Sequence, residues 1–350
     1  MSMKYKLFGR HTGLRVSEFV LGAGNFGTRW GHGAEPEEAR AIFDGYADEG
    51  GNFIDTSDSY QFGQSEEILG DLLAGRRDEF VLASKYTQGA RPTDGILVTG
   101  NSRKAMMTSV EASLKRLNTD RIDLYWVHYD DGMTPAEEIV RGFEDLVRAG
   151  KILYAGLSDF PAWRVARAAT IAELRGTIPI AGLQVEYSLV QRTTEQELLP
   201  ASHALGLGIL AWSPLGGGVL TGKYRNGETG RAQRLGGRVF QPENTPQRSA
   251  ILDAVIAVAA ESGVTPSEVA IAWVASKNVL PIIGPRTVAQ LKNNLAASKL
   301  ALSRDQIVRL DDASRLAPVF PYSMIHDPSV RQRSAGGKFD QIDLPSVPVA

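Results

Sequence analysis

The sequence contains no cysteine, which excludes disulfide bonds, thiolate metal sites and a cysteine nucleophile. Histidine is scarce as well, with five residues and no H-x-H or H-E-x-x-H spacing typical of a metal site. The four histidines other than His128 show no paired ligand spacing: His11, His32, His203 and His326. We therefore predict that no metal is bound, and the lack of cysteine leads us to expect a cytoplasmic protein.

An excess of charge of either sign is also absent, because 38 lysines and arginines face 40 aspartates and glutamates. A formal charge of -2 creates no field that would attract nucleic acid or an anionic membrane surface. The longest aliphatic stretch, ILDAVIAVAA at 251–260, contains Asp253 and is too short to span a bilayer. The first residues, MSMKYKLFGRHTG, lack the apolar core of a secretory signal. We expect neither nucleic acid nor a membrane as a partner.

The composition is that of a globular protein, with 43% hydrophobic and 22% charged residues among 350. Length alone allows one or two domains, but no linker divides the chain, so we predict a single domain over residues 1–350. Eight short β-rich segments alternate with helical patterns: SEFVLGAG, GNFIDTS, EFVLASK, RIDLYWVH, ILYAGLS, IAGLQVEYS, GILAWSP and NVLPIIG. This alternation predicts an α/β protein with a parallel sheet, either closed as a (β/α)8 barrel or open and doubly wound.

The regions outside this alternation carry their own signals. KYKLFGR and LRVSEFV flank His11-Thr12-Gly13, which predicts an N-terminal β-hairpin that plugs one end of a barrel. Before the last strand, the stretch GGGVLTGKYRNGETGRAQRLGGRVFQPENTP is rich in glycine and arginine and predicts a loop or lid. Residues 316–350, with five prolines and few periodic apolar residues, are predicted to form an irregular C-terminal covering tail.

The stretch LGAGNFG contains G-x-G-x-x-G at Gly22, Gly24 and Gly27, the pattern that binds a dinucleotide pyrophosphate in a Rossmann fold. In that fold the phosphate sits at the N-terminus of a helix that begins at the glycines. Here the helical pattern resumes only near Glu35-Pro36, so the backbone amides would not converge on a phosphate. We favour a close approach of backbone at a barrel mouth over a Rossmann turn.

Four polar residues lie at or just beyond the ends of predicted strands: Asp55, Tyr60, Lys85 and His128. In a barrel this edge holds the active site. A tyrosine has a pKa of about 10, which a neighbouring ammonium lowers, and a carboxylate keeps that ammonium charged and in place. A histidine opposite them can orient a substrate carbonyl. Each residue alone is explained better by a structural role, as a cap, a loop aromatic, a solvated lysine or a satisfied histidine at the barrel mouth, but the four together predict an acid catalyst.

The sequence resembles the aldo-keto reductase superfamily from about residue 7 to residue 316. The segment GNFIDTSDSYQFGQSEEILGDLL is similar to the family's G-x-N-x-x-D-T-A-x-x-Y motif with its S-E-x-x-L-G continuation. The resemblance implies a (β/α)8 TIM barrel. It also implies that Tyr60 is the general acid, that Asp55 and Lys85 support it, and that His128 orients the carbonyl.

The same resemblance implies a nicotinamide site. YAGLSDF is similar to the family's G-x-S-N strand end, which places Ser158 at the carboxamide. Asp159 stands where the family usually has Asn, and a carboxylate cannot donate the hydrogen bond of that amide. LQVEYSL is similar to Q-x-x-Y-[NS], which implies that Gln184 binds the carboxamide and that Tyr187 stacks on the nicotinamide ring.

Two later motifs imply the rest of the cofactor site. AWSPLGGGVLTGKY resembles the family's pyrophosphate loop and places these residues around the phosphates: Trp212, Ser213, Pro214, Leu215, Gly217 and Lys223. IIGPRTVAQLKNN resembles its closing motif, with Gly284 and Arg286 at the adenosine 2'-phosphate and Gln290 and Asn294 at the adenine end. Because an arginine suits a dianionic phosphate, we predict NADPH/NADP+ as the cofactor in preference to NADH.

Aromatic residues near the strand ends are candidates for substrate contact. Phe26 and Trp30 follow the first strand, and Tyr86 follows Lys85. Ordinary packing in the core or at the rim explains each of them equally well. Trp126 lies two residues before His128 on the same face of its strand and is predicted to fill the barrel interior.

We therefore predict an NADPH-dependent oxidoreductase that reduces aldehydes or ketones to alcohols by hydride transfer from nicotinamide, with Tyr60 as general acid. Such an aldo-keto reductase acts in reverse as an NADP-dependent alcohol dehydrogenase. Its partner is a small-molecule carbonyl substrate, and the sequence leaves a homo-oligomer open. The alternative is an NADPH-binding, redox-sensing regulatory subunit similar to the potassium-channel β subunits of the same superfamily.

Overall fold

The computed structural model describes residues 3–228, 241–346 and 348. The predicted glycine- and arginine-rich loop lies partly outside them, because residues 229–240 are not among the described residues. Its first part forms two short 3-10 segments, Gly216–Thr221 and Lys223–Asn226. These segments follow a strand end directly, which places them at the rim of the sheet.

Ten strands lie in the described part of the chain. β1 (Tyr5–Leu7) and β2 (Arg15–Ser17) form an antiparallel hairpin. The other eight are parallel: β3 (Val20–Gly22), β4 (Phe53–Asp55), β5 (Val81–Tyr86), β6 (Ile122–Val127), β7 (Ile152–Ser158), β8 (Ile180–Glu186), β9 (Gly208–Trp212) and β10 (Leu280–Ile283). Because β10 pairs with both β9 and β3, the sheet closes into a barrel. The (β/α)8 barrel is confirmed, and the open, doubly wound alternative is wrong.

Helices follow the barrel strands: α1 (Pro36–Asp48), α2 (Gln64–Leu72), α3 (Arg103–Arg116), α4 (Ala136–Arg148), α5 (Ala162–Arg175), α6 (Leu198–Ala204), α7 (Pro246–Ser262), α8 (Pro266–Ser276) and α9 (Val288–Ala296). Within the described residues three more follow α9: α10 (Arg304–Ala313), α11 (Tyr322–Ile325) and α12 (Pro328–Ser334). Within the described residues, no single helix combines the length and hydropathy of a membrane span. Only α7 and α8 taken together across their 101° bend reach such values.

The hairpin closes the end of the barrel at which the strands begin. Phe8 follows β1, is fully buried, and packs edge-on against Phe53 and Trp126, with ring centroids 5.7 and 6.4 Å away. Gly182 and Gly208 leave room for this ring, since a Cβ on Gly208 would lie 2.5 Å from it. The predicted plug is confirmed, and Trp126 fills the interior as predicted.

The prediction of an irregular tail needs correction, because α11 and α12 lie within it. Asp327 caps α12 by accepting a hydrogen bond from the backbone N–H of Val330, and Pro328 takes the first helical position. This cap signal is visible in the sequence as D-P-S. The tail contacts the loop after β8, where Gln196 Nε2 donates to Ala317 O at 3.3 Å. Within the part of the tail that the structure describes, no residue lines the cavity at the open end of the barrel.

Candidate active site

A cavity of about 880 Å³ opens where the barrel strands end. The strands and the loops that follow them contribute to its wall: Gly22, Asp55, Tyr60, His128, Asp159, Gln184, Trp212 and Ile283. In parallel barrels this face carries the active site, because the variable loops meet there above a rigid sheet.

The first strand end, LGAGNFG, forms one wall of this cavity. β3 ends at Gly22, and the next helix begins only at Pro36. A Cβ on Gly24 would lie 3.5 Å from the ring of Tyr60, so this glycine lets the backbone pass close to that ring. The barrel-mouth interpretation is confirmed. The Rossmann interpretation is wrong, because the helix N-terminus that would bind phosphate is far along the chain from these glycines.

Lys85 connects Asp55 and Tyr60 through a continuous set of hydrogen bonds. Its Nζ donates to Asp55 Oδ2 at 2.5 Å, to Thr56 O at 2.8 Å and to Tyr60 Oη at 3.1 Å. The second carboxylate oxygen of Asp55 accepts from Gln184 Nε2 at 2.9 Å. The Lys85 side chain is fully buried and that of Asp55 is 2% exposed, so water does not screen the ion pair. Three acceptors therefore determine where the ammonium lies relative to Tyr60.

Burial and charge act in opposite directions on this group. Burial lowers the pKa of Lys85, but attraction by Asp55 and Tyr60 outweighs it and holds this pKa above its usual range. Burial raises the pKa of Tyr60 above 10, and Lys85 offsets only part of that increase. The sequence-based expectation of a lowered tyrosine pKa is therefore wrong in its net direction. Tyr60 is neutral at pH 7 and has a proton to donate.

His128 follows β6 and lies across the cavity from Tyr60, with 5.7 Å between the ring centroids. It is 4% exposed, and burial together with the charge of Lys85 holds the pKa of its imidazole well below 6.5. Its Nδ1 lies 3.2 Å from Ser57 Oγ. The ring is therefore neutral at pH 7, with one N–H, and its second nitrogen is left for the cavity.

The turn that carries Tyr60 is held by the loop after β3. Gln61 and Phe62 both adopt a left-handed backbone, with φ of 51° and 54°. Gln61 Oε1 accepts from Trp30 N at 2.8 Å, and its Nε2 donates to His32 O at 3.0 Å. The Trp30 ring lies edge-on to Tyr60, 6.1 Å between centroids, and lines the cavity. The structure thus places Trp30 where a substrate contact was predicted.

Asp159, which stands where the family usually has Asn, is held in the site by hydrogen bonds to neighbouring side chains. Asp159 follows β7 with a φ of 51°, and its Oδ1 accepts from Trp212 Nε1 at 3.1 Å. Its Oδ2 accepts from Ser158 Oγ at 3.0 Å. Burial raises the pKa of Asp159 to about 6. Asp159, Trp212 and Gln184 line the cavity, whereas Ser158 is fully buried behind them.

Two cations and one carboxylate, that of Glu228, line the far end of the cavity. Lys223 and Arg286 both line it, and burial together with the Arg286 charge lowers the pKa of Lys223. Ser213 and Gly217 turn the backbone there in the left-handed region, with φ of 53° and 67°. The other residues predicted at this end also line the cavity: Pro214, Leu215, Gly284, Gln290 and Asn294. Two like charges held together at a cavity wall suit an anion between them.

Tyr187 does not lie where it was predicted. Its side chain is fully buried, its ring is 5.3 Å from that of Trp273, and its hydroxyl donates to Glu195. Side chains alternate along a strand, and Gln184 faces the cavity, so Tyr187 three positions later faces the other side. It does not line the cavity, and the prediction that it stacks on nicotinamide is wrong. Trp212 provides an aromatic ring at this wall instead.

Phe26 and Tyr86 also lie outside the cavity. Phe26 is fully buried in the hydrophobic core. Tyr86 is fully buried, stacks on Tyr125 at 5.4 Å and donates from its hydroxyl to Asn101 O at 3.2 Å. Because Lys85 points into the barrel, the next residue of the strand points toward the helices. The prediction of substrate contact is wrong for both residues, and ordinary packing explains them.

The sequence-based predictions missed part of the lining: Asn25, His32, Ser59, Gln88, Tyr129, Gly218, Thr221, Thr265, Ser267 and Asn293. Most of these lie on loops, whose path a strand pattern does not indicate. Thr265 carries a recognisable signal, since T-P-S-E forms a capping box at the start of α8. Ser57 and Asp58 were missed as well, although they lie in the chain between Asp55 and Tyr60.

The barrel and the hydrogen-bonded polar residues at its open end define a class of oxidoreductase. Comparison with known proteins supports the same class. The aldo/keto reductase family model matches residues 18–315, and the chain belongs to that family. The chain is 38% identical to the uncharacterized oxidoreductase YrpG of Bacillus subtilis over 321 residues, which cover 89% of this chain and 95% of YrpG. It is 36% identical to the norsolorinic acid reductase stcV of Emericella nidulans over 335 residues, 92% and 84% of the two chains. It is 32% identical to the aldo-keto reductase ausK of Aspergillus calidoustus over 338 residues, 92% and 85%.

Proposed function

We propose that this protein is an NADPH-dependent reductase of aldehydes or ketones. The observation that carries the proposal is the hydrogen-bonded chain from Asp55 through Lys85 to Tyr60, which ends in a cavity that His128 also lines. Membership in an oxidoreductase family, and similarity to a protein named as a reductase, support it.

Tyr60 delivers the proton. Burial keeps its pKa above 10, so the phenol is neutral before the reaction. When it gives its proton to the developing alkoxide, the phenolate forms 3.1 Å from Lys85 Nζ, whose charge stabilises it. Asp55 holds that ammonium in place. The tyrosine recovers a proton once the alcohol has left.

Tyr60 and His128 together bind the carbonyl oxygen. A carbonyl oxygen has two lone pairs, and the two side chains each offer one donor from opposite sides of the cavity. His128 is 4% exposed, and at such a partly desolvated site a hydrogen bond to a developing negative charge is strong. Trp30 and Tyr129 line the cavity beside them and offer flat surfaces to the rest of the substrate.

The wall between β7 and β9 fits a nicotinamide. Gln184 Oε1 and the Asp159 carboxyl offer polar atoms to a carboxamide, and Trp212 offers a ring for stacking. Asp159 Oδ1 orients that indole through its hydrogen bond with Nε1. When bound there, a reduced nicotinamide supplies the hydride that the carbonyl carbon receives.

The far end fits a phosphorylated dinucleotide. Lys223 and Arg286 provide two positive charges, and they line the cavity together with the left-handed backbone at Gly217 and Gly218. A Cβ on Gly218 would lie 3.1 Å from Lys223 Nζ, so glycine keeps the approach to this cation open. The second cation, Arg286, is what favours NADPH over NADH, because a 2'-phosphate adds charge at that end.

The test is NADPH consumption against a panel of aromatic aldehydes, dicarbonyls, sugars and bulky ketones, with Tyr60→Phe measured in parallel. Tyr5→Phe is the matched control, because it removes a hydroxyl from the hairpin at the opposite end of the barrel. Turnover that survives in Tyr5→Phe and is lost in Tyr60→Phe supports the proposal. Undiminished turnover in Tyr60→Phe contradicts it. Negligible turnover with tight NADPH binding favours the regulatory, redox-sensing alternative.

A further inference from the structure

Two side chains behind the cavity connect His128 to a buried carboxyl group. Ser57 Oγ lies 3.2 Å from His128 Nδ1 and 3.2 Å from Asp58 Oδ1. Ser57 is fully buried and Asp58 is 1% exposed. Because bulk water does not reach these groups, they satisfy one another, and the protonation of one constrains the hydrogen bonds of the next.

The Ser57 hydroxyl has few ways to arrange its bonds. It carries one hydrogen and two lone pairs, and one lone pair accepts from the backbone N–H of Ser59 at 3.3 Å. The Ser59 hydroxyl is also 3.1 Å away, but Ser59 lines the cavity and lies at the edge of this buried set. When the Ser59 hydroxyl bonds within the cavity that it lines, one hydrogen and one lone pair of Ser57 remain for His128 and Asp58.

The charge of Asp58 then selects the tautomer of His128. An ionised carboxylate only accepts, so it takes the Ser57 hydrogen, and His128 must place its own proton on Nδ1 to donate to Ser57. A protonated Asp58 instead donates to Ser57, which passes its hydrogen to His128 Nδ1. The imidazole proton then sits on Nε2. Only this second tautomer offers an N–H to a carbonyl oxygen in the cavity.

We propose that Asp58 is a positioning residue that, in its acid form, keeps His128 through Ser57 in the tautomer protonated on Nε2. The inference rests on the proposed function, because it takes the partner of His128 to be a carbonyl oxygen. Asp58 itself touches neither substrate nor cofactor in this arrangement; it acts through the serine.

The surroundings of Asp58 make its acid form accessible near neutral pH. Burial, and after it repulsion from Glu66 of α2, raise the pKa of Asp58 to about 7. Arg116 of α3 acts in the opposite direction, but its Nε donates to Glu66 Oε2 at 2.7 Å, so much of its charge is paired there. On β6, the hydroxyl of Tyr125 is held neutral by burial, which raises its pKa well above 10.

The surroundings of His128 favour a neutral ring. Burial and the Lys85 ammonium of β5 hold the imidazole pKa well below 6.5. The rings of Tyr60 and Tyr129 flank the imidazole, with centroids 5.7 and 4.3 Å away. Near neutral pH the imidazole therefore adopts one of two neutral tautomers. The direction of the Ser57 hydroxyl hydrogen determines which of them is stable.

A direct measurement is the tautomer of His128 in the full-length protein without cofactor. Histidine is labelled with 15N, His128→Asn assigns the signal, and spectra are compared at about pH 6 and about pH 8.5. We expect the proton on Nε2 at the lower pH and on Nδ1 at the higher pH in the wild type. In Asp58→Asn we expect Nε2 at both, because the amide donates to Ser57 at any pH. One unchanging tautomer in the wild type, or Nδ1–H in Asp58→Asn, overturns the proposal.

The kinetic counterpart is the pH profile of kcat. As pH rises through about 7, Asp58 ionises and the carbonyl loses one donor, so we expect kcat to fall by up to about 100-fold, the usual effect of removing such a donor. The KM for NADPH should not change. In Asp58→Asn this fall should disappear. A wild-type profile retained in Asp58→Asn contradicts the proposal.

Two serine variants separate this role from a structural one. Ser57→Ala removes the connection, and we expect kcat to drop about tenfold or more without the fall near pH 7. Ser202→Ala is the control, because it removes a buried hydroxyl that donates to Leu198 O at 2.7 Å within α6 and should leave the profile intact. If no carbonyl is reduced at all, the proposed function fails, whereas the tautomer spectra still decide whether Asp58 controls His128.

Discussion

The two ends of the barrel use the same eight strands for different tasks. Where the strands begin, Phe8 and Trp126 fill the interior with packed rings. Where they end, Asp55 and Lys85 form a buried ion pair, which carries a large cost of desolvation that further hydrogen bonds offset. Stability is therefore concentrated at one end and chemistry at the other, and variants at each end should affect different measurements.

The largest effect is expected at the open end. Tyr60→Phe removes the proton donor but keeps the ring, so we expect kcat for carbonyl reduction to fall by about 10²- to 10⁴-fold. The melting temperature should stay near that of the wild type, because the ring still packs against Trp30. Steady-state kinetics and thermal unfolding of the same preparation check both points. A large loss of stability in Tyr60→Phe would show that stability and chemistry are not separated between the two ends of the barrel.

The complementary change is at the plugged end. Phe8→Ala leaves a cavity beside Phe53 and Trp126, and we expect the free energy of unfolding to fall by about 3–5 kcal/mol. The KM for NADPH should be unchanged at temperatures where the variant is folded. Urea unfolding and steady-state kinetics measure the two quantities. An equally large loss of kcat in the folded variant would contradict the comparison.

A smaller effect is expected within the open end, at its cationic part. Arg286→Ala should weaken NADPH binding by about 10- to 100-fold, the usual effect of losing a hydrogen bond to a charged group, while NADH binding changes little. Lys292→Ala is the control, since it removes an exposed charge from α9, the helix that begins two residues after Arg286. Fluorescence titration with both cofactors measures the dissociation constants. Equal weakening of NADH and NADPH would show that Arg286 does not bind the 2'-phosphate.

The smallest effect concerns Asp159 and pH. Its pKa is raised from 3.8 to about 6 in the folded protein, so the fold prefers the acid form. The stability that this preference contributes is present below pH 3.8 and is lost as pH rises through about 6. Above pH 6, Asp159→Asn should therefore be more stable than the wild type and unfold at a higher temperature. We expect its free energy of unfolding to be higher by about 1 kcal/mol, after allowing for the partial exposure of the side chain. Thermal unfolding between about pH 5 and about pH 8 checks this trend; a gap that does not widen with pH contradicts it.

Strand ends were the part of the site that sequence predicted best. Asp55, Lys85 and His128 follow buried apolar runs, and parallel strands bring such ends to one face. The predictions for the aromatic residues were wrong, and the alternation of side chains along a strand explains why. Tyr86 follows an inward-facing lysine, and alternation alone places it outside the barrel. Tyr187 was assigned by its motif, but it lies on the outer side of its strand end, where its ring packs against Trp273 and its hydroxyl donates to Glu195.

The sequence by itself determined the alternation of strands and helices, the identity of the polar residues at the strand ends, and the glycine-rich and cationic loop after β9. These are local properties, because each depends on residues close together in the chain. Tertiary structure alone decided that β10 pairs with β3 to close the barrel and that Trp212 faces the cavity. It also decided that burial outweighs Lys85 in the pKa of Tyr60. Desolvation depends on every element packed around a group, and no local pattern contains that information.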